Sequence, residues 1–118
     1  MIEVKHLTKK YGSGVAVSDL SFKVESGKIY GFLGPNGAGK STTMNIIAGC
    51  LAPTEGQVLI GGYDICEEPD EAKRLIGYLP EQPPLYPDMT PEEYLTFVGR
   101  AKGLRGAELH EEIEYVMD

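Results

Sequence analysis

The stretch Gly34-Pro35-Asn36-Gly37-Ala38-Gly39-Lys40-Ser41-Thr42-Thr43 constrains what this chain can fold into more than any other. Gly34, four residues, Gly39, Lys40 and Ser41 fit G-x-x-x-x-G-K-[ST], a loop whose backbone N–H groups wrap a phosphate chain. Gly34, Gly37 and Gly39 carry no Cβ, so positive φ and close backbone approach are cheap there, and consecutive amides can point at one anion. Lys40 is then placed to reach the β/γ-phosphates and Ser41 to offer a hydroxyl to Mg²⁺. The helix that starts here aims its positive end at the same charge. The motif predicts a nucleoside triphosphate site.

Such a loop needs a strand before it and a helix after it, and the flanking pattern supplies both. Ile29-Tyr30-Gly31-Phe32-Leu33 is a continuous apolar run that reads as a buried parallel strand. Met44, Ile47, Ala48 and Leu51 recur at i, i+3, i+4 and i+7, one face of a helix. Upstream, Leu20, Phe22 and Val24 alternate with Ser21, Lys23 and Glu25, and Ile2 and Val4 begin a similar strand, so antiparallel strands precede the loop.

Downstream, Pro53-Thr54-Glu55-Gly56 reads as a turn, Val58 and Ile60 alternate again, and Gly61-Gly62 breaks the strand. Glu67 to Leu75 is a short polar helix, Leu75 to Leu79 a second apolar strand, and Pro80 to Pro87 a proline-rich loop. Thr90-Pro91-Glu92-Glu93 gives an N-cap, a proline at the first helical position and a capping-box Glu; Tyr94, Phe97, Val98 and Ala101 then share one face of a helix that Gly103 ends. From Ala107, the residues Leu109, Ile113, Val116 and Met117 mark another amphipathic helix, with no Gly, Asn or Pro to close it before Asp118. The expectation is a domain truncated before its second half.

Composition narrows the setting. With 118 residues, 42% hydrophobic and 25% charged, the chain has the balance of a soluble globular protein. No run reaches the roughly 18 apolar residues of a membrane span, and Met1-Ile2-Glu3-Val4-Lys5 lacks the basic start and apolar stretch of a signal peptide, so a cytosolic location is expected. Cys50 and Cys66 have no metal-type spacing and read as reduced thiols; His6 and His110 are solitary. The net charge of −7 argues against a nucleic-acid partner.

With these pieces placed, the sequence resembles the ATP-binding subunit of an ABC transporter over essentially its whole length. Gly34 to Thr43 is similar to that family's phosphate loop almost letter for letter, which assigns Gly34, Pro35, Asn36, Gly37, Ala38, Gly39, Lys40, Ser41 and Thr42 to ATP and Ser41 to Mg²⁺. Tyr11, in Tyr11-Gly12, stands where the family places an aromatic ring that stacks on adenine, and Ala16 would line the same base. Leu79 to Pro87 resembles the family's coupling loop, in the form most similar to the exporter-type branch. Counting back from Leu85-Tyr86-Pro87 puts Glu81 at the family's glutamine position, with Gln82 one residue late. Glu81 is thus a candidate coupling-loop residue and a candidate Mg²⁺ ligand, although a carboxylate accepts hydrogen bonds without donating them.

The resemblance implies an α/β fold: a P-loop NTPase-type parallel core beside an N-terminal antiparallel β layer, with residues 1–118 forming the N-terminal part of a single ATP-binding domain. It further implies ATP hydrolysis powering transport in the complete subunit, on the cytoplasmic face of the membrane, with a membrane permease and a second ATP-binding subunit as partners. The residues that cut ATP are expected elsewhere. Neither Ser13-Gly14 nor Ser26-Gly27 continues into Gly, and Tyr115-Val116-Met117-Asp118 mimics the family's apolar-run-then-Asp strand without the Glu and with helical neighbours. A soluble relative acting on ribosomes or DNA would add a basic face or an inserted arm. A small-molecule kinase would open with the phosphate-loop strand instead of an antiparallel prelude.

Overall fold

The structure, a computed structural model, describes residues 1–34, 39–80 and 85–118, in two units, Met1–Tyr78 and Leu79–Asp118. In the first, β1 (Ile2–Tyr11) and β2 (Gly14–Val24) form an antiparallel hairpin around Gly12-Ser13. β3 (Glu55–Ile60) pairs with the other edge of β1, and β4 (Tyr63–Asp64) folds back on β3, giving the antiparallel order β2-β1-β3-β4. Gly61-Gly62, expected only to break a strand, is the two-residue turn of this last hairpin; both φ angles are positive, 56° and 89°, which matches the twist of the strands it joins.

The alternation of β2 holds: Leu20, Phe22 and Val24 are half-buried while Ser21 and Lys23 are exposed. In β1 the buried residues are Val4, Leu7 and Thr8, a spacing that simple alternation does not allow. The register explains it. Val4 faces Phe22 and Leu7 faces Leu20, so β1 carries one residue more than β2 there; Leu7 to Lys9 then faces Leu20 to Val17, where β2 carries the extra residue. A third shift, between Lys9 and Lys10, makes Ala16 an extra residue on β2. The first two bulges hold His6 and Asp19, the only non-glycine residues with positive φ among those described, at 50° and 48°. His and Asp tolerate this region better than most side chains. His6 Nδ1 and Asp19 Oδ1 lie 2.8 Å apart, so His6 is not solitary; nor is His110, whose Nε2 lies 3.1 Å from Glu114 Oε1 one helical turn on. The His6 amide donates to Ser21 Oγ and the Asp19 amide to Thr8 Oγ1.

α1 (Lys40–Ile47) and α2 (Pro69–Arg74) complete this unit. Val4, Leu7, Val17, Ile46, Val58, Ile60, Ile65 and Ala72 form its core. α1 is shorter than its apolar pattern suggested, ending at Ile47. Its buried residues are Thr43 and Ile46, whereas Met44 is exposed, because the sheet meets the helix one residue around from the expected stripe. Asp64 closes β4: burial disfavours its charge, but hydrogen bonds from Gln57 Nε2 and the amides of Cys66 and Glu67 outweigh that and hold its pKa below the ordinary value. Cys50 and Cys66 are free; burial, then the negative charges of Asp64 and Glu67, push the Cys66 thiol up.

Two expected strands are not strands here. Residues 29–33 and 75–79 have no hydrogen-bonded sheet neighbour among the described residues, and Ile29 and Leu33 are 102% and 93% exposed. A parallel strand exists only as a relation between neighbours; in this run only Phe32 finds cover, half-buried with its ring 5.7 Å from that of Phe22.

In the second unit, α3 (Pro91–Ala101) begins as expected. Thr90 Oγ1 accepts from the Glu93 amide and Glu93 Oε1 from the Thr90 amide, both at 3.1 Å. Its closest packing differs from the expected stripe. α4 (Gly106–Met117) rests Leu109 against Gly99, which lacks a side chain to intervene, while Phe97 is half-exposed and meets Tyr86 edge-on at 5.9 Å. Val116 and Met117 are exposed. No helix among the described residues is long and apolar enough to cross a membrane.

Candidate functional site

The candidate site is built where α1 starts. Gly39 caps the helix with φ 91° and ψ 9°, a left-handed conformation that glycine adopts without strain. A Cβ on Gly39 would stand 2.6 Å from the Ala16 carbonyl oxygen and 3.0 Å from Val17 Cγ2, so only a glycine lets the loop end this close to β2. Ala16 and Gly39, expected at opposite ends of one nucleotide, are therefore neighbours. Lys40 is the first residue of α1, and its Nζ donates back to the carbonyl of Gly34.

Electrostatics at this helix end differ from those elsewhere in the chain. α2 and α3 carry acidic residues in their first turns, Asp70 and Glu71 in one and Glu92 and Glu93 in the other; α1 carries none. Its positive end and the Lys40 ammonium are left for an external anion. Ser41 is exposed, with its hydroxyl in the first turn; Thr42 is half-buried; Thr43 is buried, and its hydroxyl has no hydrogen-bond partner among the described residues. The left-handed glycine, the cation and the acid-free turn suit an anion.

Tyr11 stands at the free end of the hairpin, opposite Gly14, and is 53% exposed. Ala16 lies two residues further along β2, where the register shifts between Val15 and Val17. The end of β1 is tied to the loop that leaves α1: the Thr54 amide donates to the Thr8 carbonyl, the Lys10 amide to Thr54 Oγ1, and Lys9 Nζ to the Ala52 carbonyl. Lys9, which the motif reading passed over, holds its ammonium 5.2 Å from the centroid of the Tyr11 ring. Period-two spacing would have paired the two, because residues two apart in a strand share a face. Pro35, Asn36, Gly37 and Ala38, and Glu81 with Gln82, lie outside the described residues.

The sequence matches the family model described as ABC transporter over residues 17–118. The chain belongs to the ABC transporter family. It is 44% identical over 113 residues to the probable multidrug ABC transporter ATP-binding protein YbhF of Escherichia coli, a match covering 96% of the chain and 20% of that protein. It is 40% identical over 120 residues to the linearmycin resistance ATP-binding protein LnrL of Bacillus subtilis, covering 98% of the chain and 39% of that protein. Among solved structures it resembles an ATP-binding subunit of an ABC transporter, with a TM-score of 0.81 at 38% identity over 91% of the chain and 45% of the subunit. It also resembles the bacterial ABC transporter cassette MJ0796, solved as a dimer, with a TM-score of 0.78 at 33% identity over 96% of the chain and 52% of the cassette. The same cassette has been solved bound to ADP and Pi. The chain thus carries the α/β fold of ABC nucleotide-binding cassettes and spans about half the length of these two structures.

Proposed function

We propose that this chain binds ATP with Mg²⁺ and that, in the complete subunit, hydrolysis of the bound nucleotide powers transport across a membrane. The observation that carries the reading is the start of α1: left-handed Gly39 against the Ala16 carbonyl, followed at once by Lys40, with no acid in the turn. The loop from Gly34 to Thr42 holds the phosphates, with Lys40 as the fixed cation and the Ser41 hydroxyl toward the metal. Tyr11 and Ala16 take the base. Bound Mg²⁺ supplies neutralisation of the phosphate charge. Glu81 is assigned to the coupling loop, where its carboxylate adds to the metal's surroundings.

The subunit works with a second ATP-binding subunit and a membrane permease, at the cytoplasmic face. Support comes from the family and from similarity to a cassette solved as a dimer. The 118 residues contain neither a Ser-Gly-Gly run nor an apolar run closed by Asp-Glu, so by themselves they bind without turnover.

Calorimetric titration with ATP and Mg²⁺ tests the reading. Lys40→Ala should weaken binding about ten- to hundred-fold, the range for losing a hydrogen bond to a charged group. Equal affinity in this variant and the parent would mean that the loop is not the phosphate site.

A further inference from the structure

We propose that Lys9 is a positioning residue for the base: it fixes the ring of Tyr11 relative to α1, so that base and phosphates are received at a set separation. The proposal rests on the nucleotide reading above and goes beyond it, since the phosphate motif and the Tyr11 motif do not include Lys9.

Three observations converge on Lys9. Its Nζ lies over the Tyr11 ring, 5.2 Å from the centroid, within the reach of a cation–π attraction. The same nitrogen donates to the Ala52 carbonyl at 2.8 Å, in the segment between α1 and β3. Two further hydrogen bonds flank that contact, from the Lys10 amide to Thr54 Oγ1 at 2.9 Å and from the Thr54 amide to the Thr8 carbonyl at 2.8 Å. The ammonium is therefore held by a backbone carbonyl in a segment that Thr54, two residues on, ties to β1.

An exposed tyrosine at a hairpin tip would otherwise have to give up rotamer freedom when a base stacks on it. With the cation over the ring that cost is met in advance, and binding keeps more of the stacking energy. The cation also draws electron density from the ring, which favours stacking against an electron-rich purine. Because Ala52 follows α1 and α1 begins at Lys40, the anchor refers the base-stacking ring to the helix that presents the phosphate cation.

The test titrates the full-length protein with ATP and with inorganic tripolyphosphate, each with Mg²⁺, using Lys9→Met, Lys9→Arg, Tyr11→Ala and the Lys9→Met/Tyr11→Ala double variant. Lys9→Met should weaken ATP binding about two- to five-fold, the value of an exposed cation–π contact, and leave tripolyphosphate binding unchanged. Lys9→Arg should keep parental ATP affinity, and Lys9→Met should have no further effect once Tyr11 is alanine. Unchanged ATP affinity in Lys9→Met, or equal losses for ATP and tripolyphosphate, would overturn the proposal while leaving Tyr11 as the stacking ring. Parental ATP affinity in Tyr11→Ala would instead overturn the stacking reading itself, and the role of Lys9 with it.

Discussion

The antiparallel sheet and the apolar run at residues 29–33 are both rich in apolar residues, yet one is ladder-bonded around a buried core and the other has no ladder and leaves Ile29, Tyr30 and Leu33 exposed, with only Phe32 half-buried against Phe22. The sheet finds its partners within the described residues: β2 follows β1 after two residues, and β4 follows β3 after two more. Its alternating pattern needs cover on one face only, which α1 and α2 help provide through Ile46 and Ala72. A continuous run such as Ile29 to Leu33 needs cover on both faces and a neighbour along each edge. Apolar composition is thus a statement of need, and adjacency decides whether the need is met.

The largest expected effect breaks or upholds this contrast directly. In the 118-residue chain, Leu7→Ala should cost about 2 to 5 kcal/mol, the range for truncating a fully buried leucine. Leu33→Ser should change stability by no more than about 0.5 kcal/mol, as for an exposed position. Urea unfolding of both variants measures the pair, and similar losses would show that the run is packed after all.

A middle effect sharpens the account of the sheet. Gly56 has φ 92°, and a Cβ there would collide with the carbonyls of His6 and Lys5, because the bulge on β1 presses its backbone toward β3. Gly62 has nearly the same φ, 89°, but open space around it. Gly56→Ala should therefore destabilise by about 1 to 3 kcal/mol and Gly62→Ala by only about 1. Equal losses in thermal unfolding would mean that conformation, not contact, sets the requirement at Gly56.

The smallest effect is a pH dependence at the sheet's far corner. The Asp64 carboxyl has a lower pKa folded than unfolded, so the native state favours its charged form. The stability this confers is fully present above the unfolded-state value and is lost as pH falls through the folded one. Asp64→Asn should flatten the acid limb of a stability-versus-pH curve below the ordinary aspartate range. An identical acid limb in parent and variant would show that the three hydrogen bonds to Asp64 do not favour its charge.

The start of α1 in the candidate site and the start of α3 are legible because their residues are constrained one at a time. Gly39, Lys40 and the capping box at Thr90 and Glu93 follow from local backbone geometry that a short motif encodes. Edges and faces were less legible. The stripe on α1 was misplaced by the pattern of Met44, Ile47, Ala48 and Leu51, since burial depends on where the sheet meets the helix. The strand at residues 75–79 failed for the reason given for 29–33. Lys9 is not legible in the sequence, because a lysine in a strand reads as solvated surface and its anchor at Ala52 is 43 residues away.

The bulges at His6, Asp19 and Ala16 have a consequence for descent. Removing one residue from a regular strand turns every side chain beyond it to the opposite face. At a bulge the extra residue is already absorbed, two against one, so its loss leaves Leu7 and Leu20 pointing inward and the Tyr11–Gly14 end unturned. The hairpin therefore has three places, between Val4 and Leu7 on β1 and, on β2, between Val17 and Leu20 and at Ala16, where a lineage can shorten it by one codon without exposing its core, and a deletion at Glu3 or Lys23 has no such refuge.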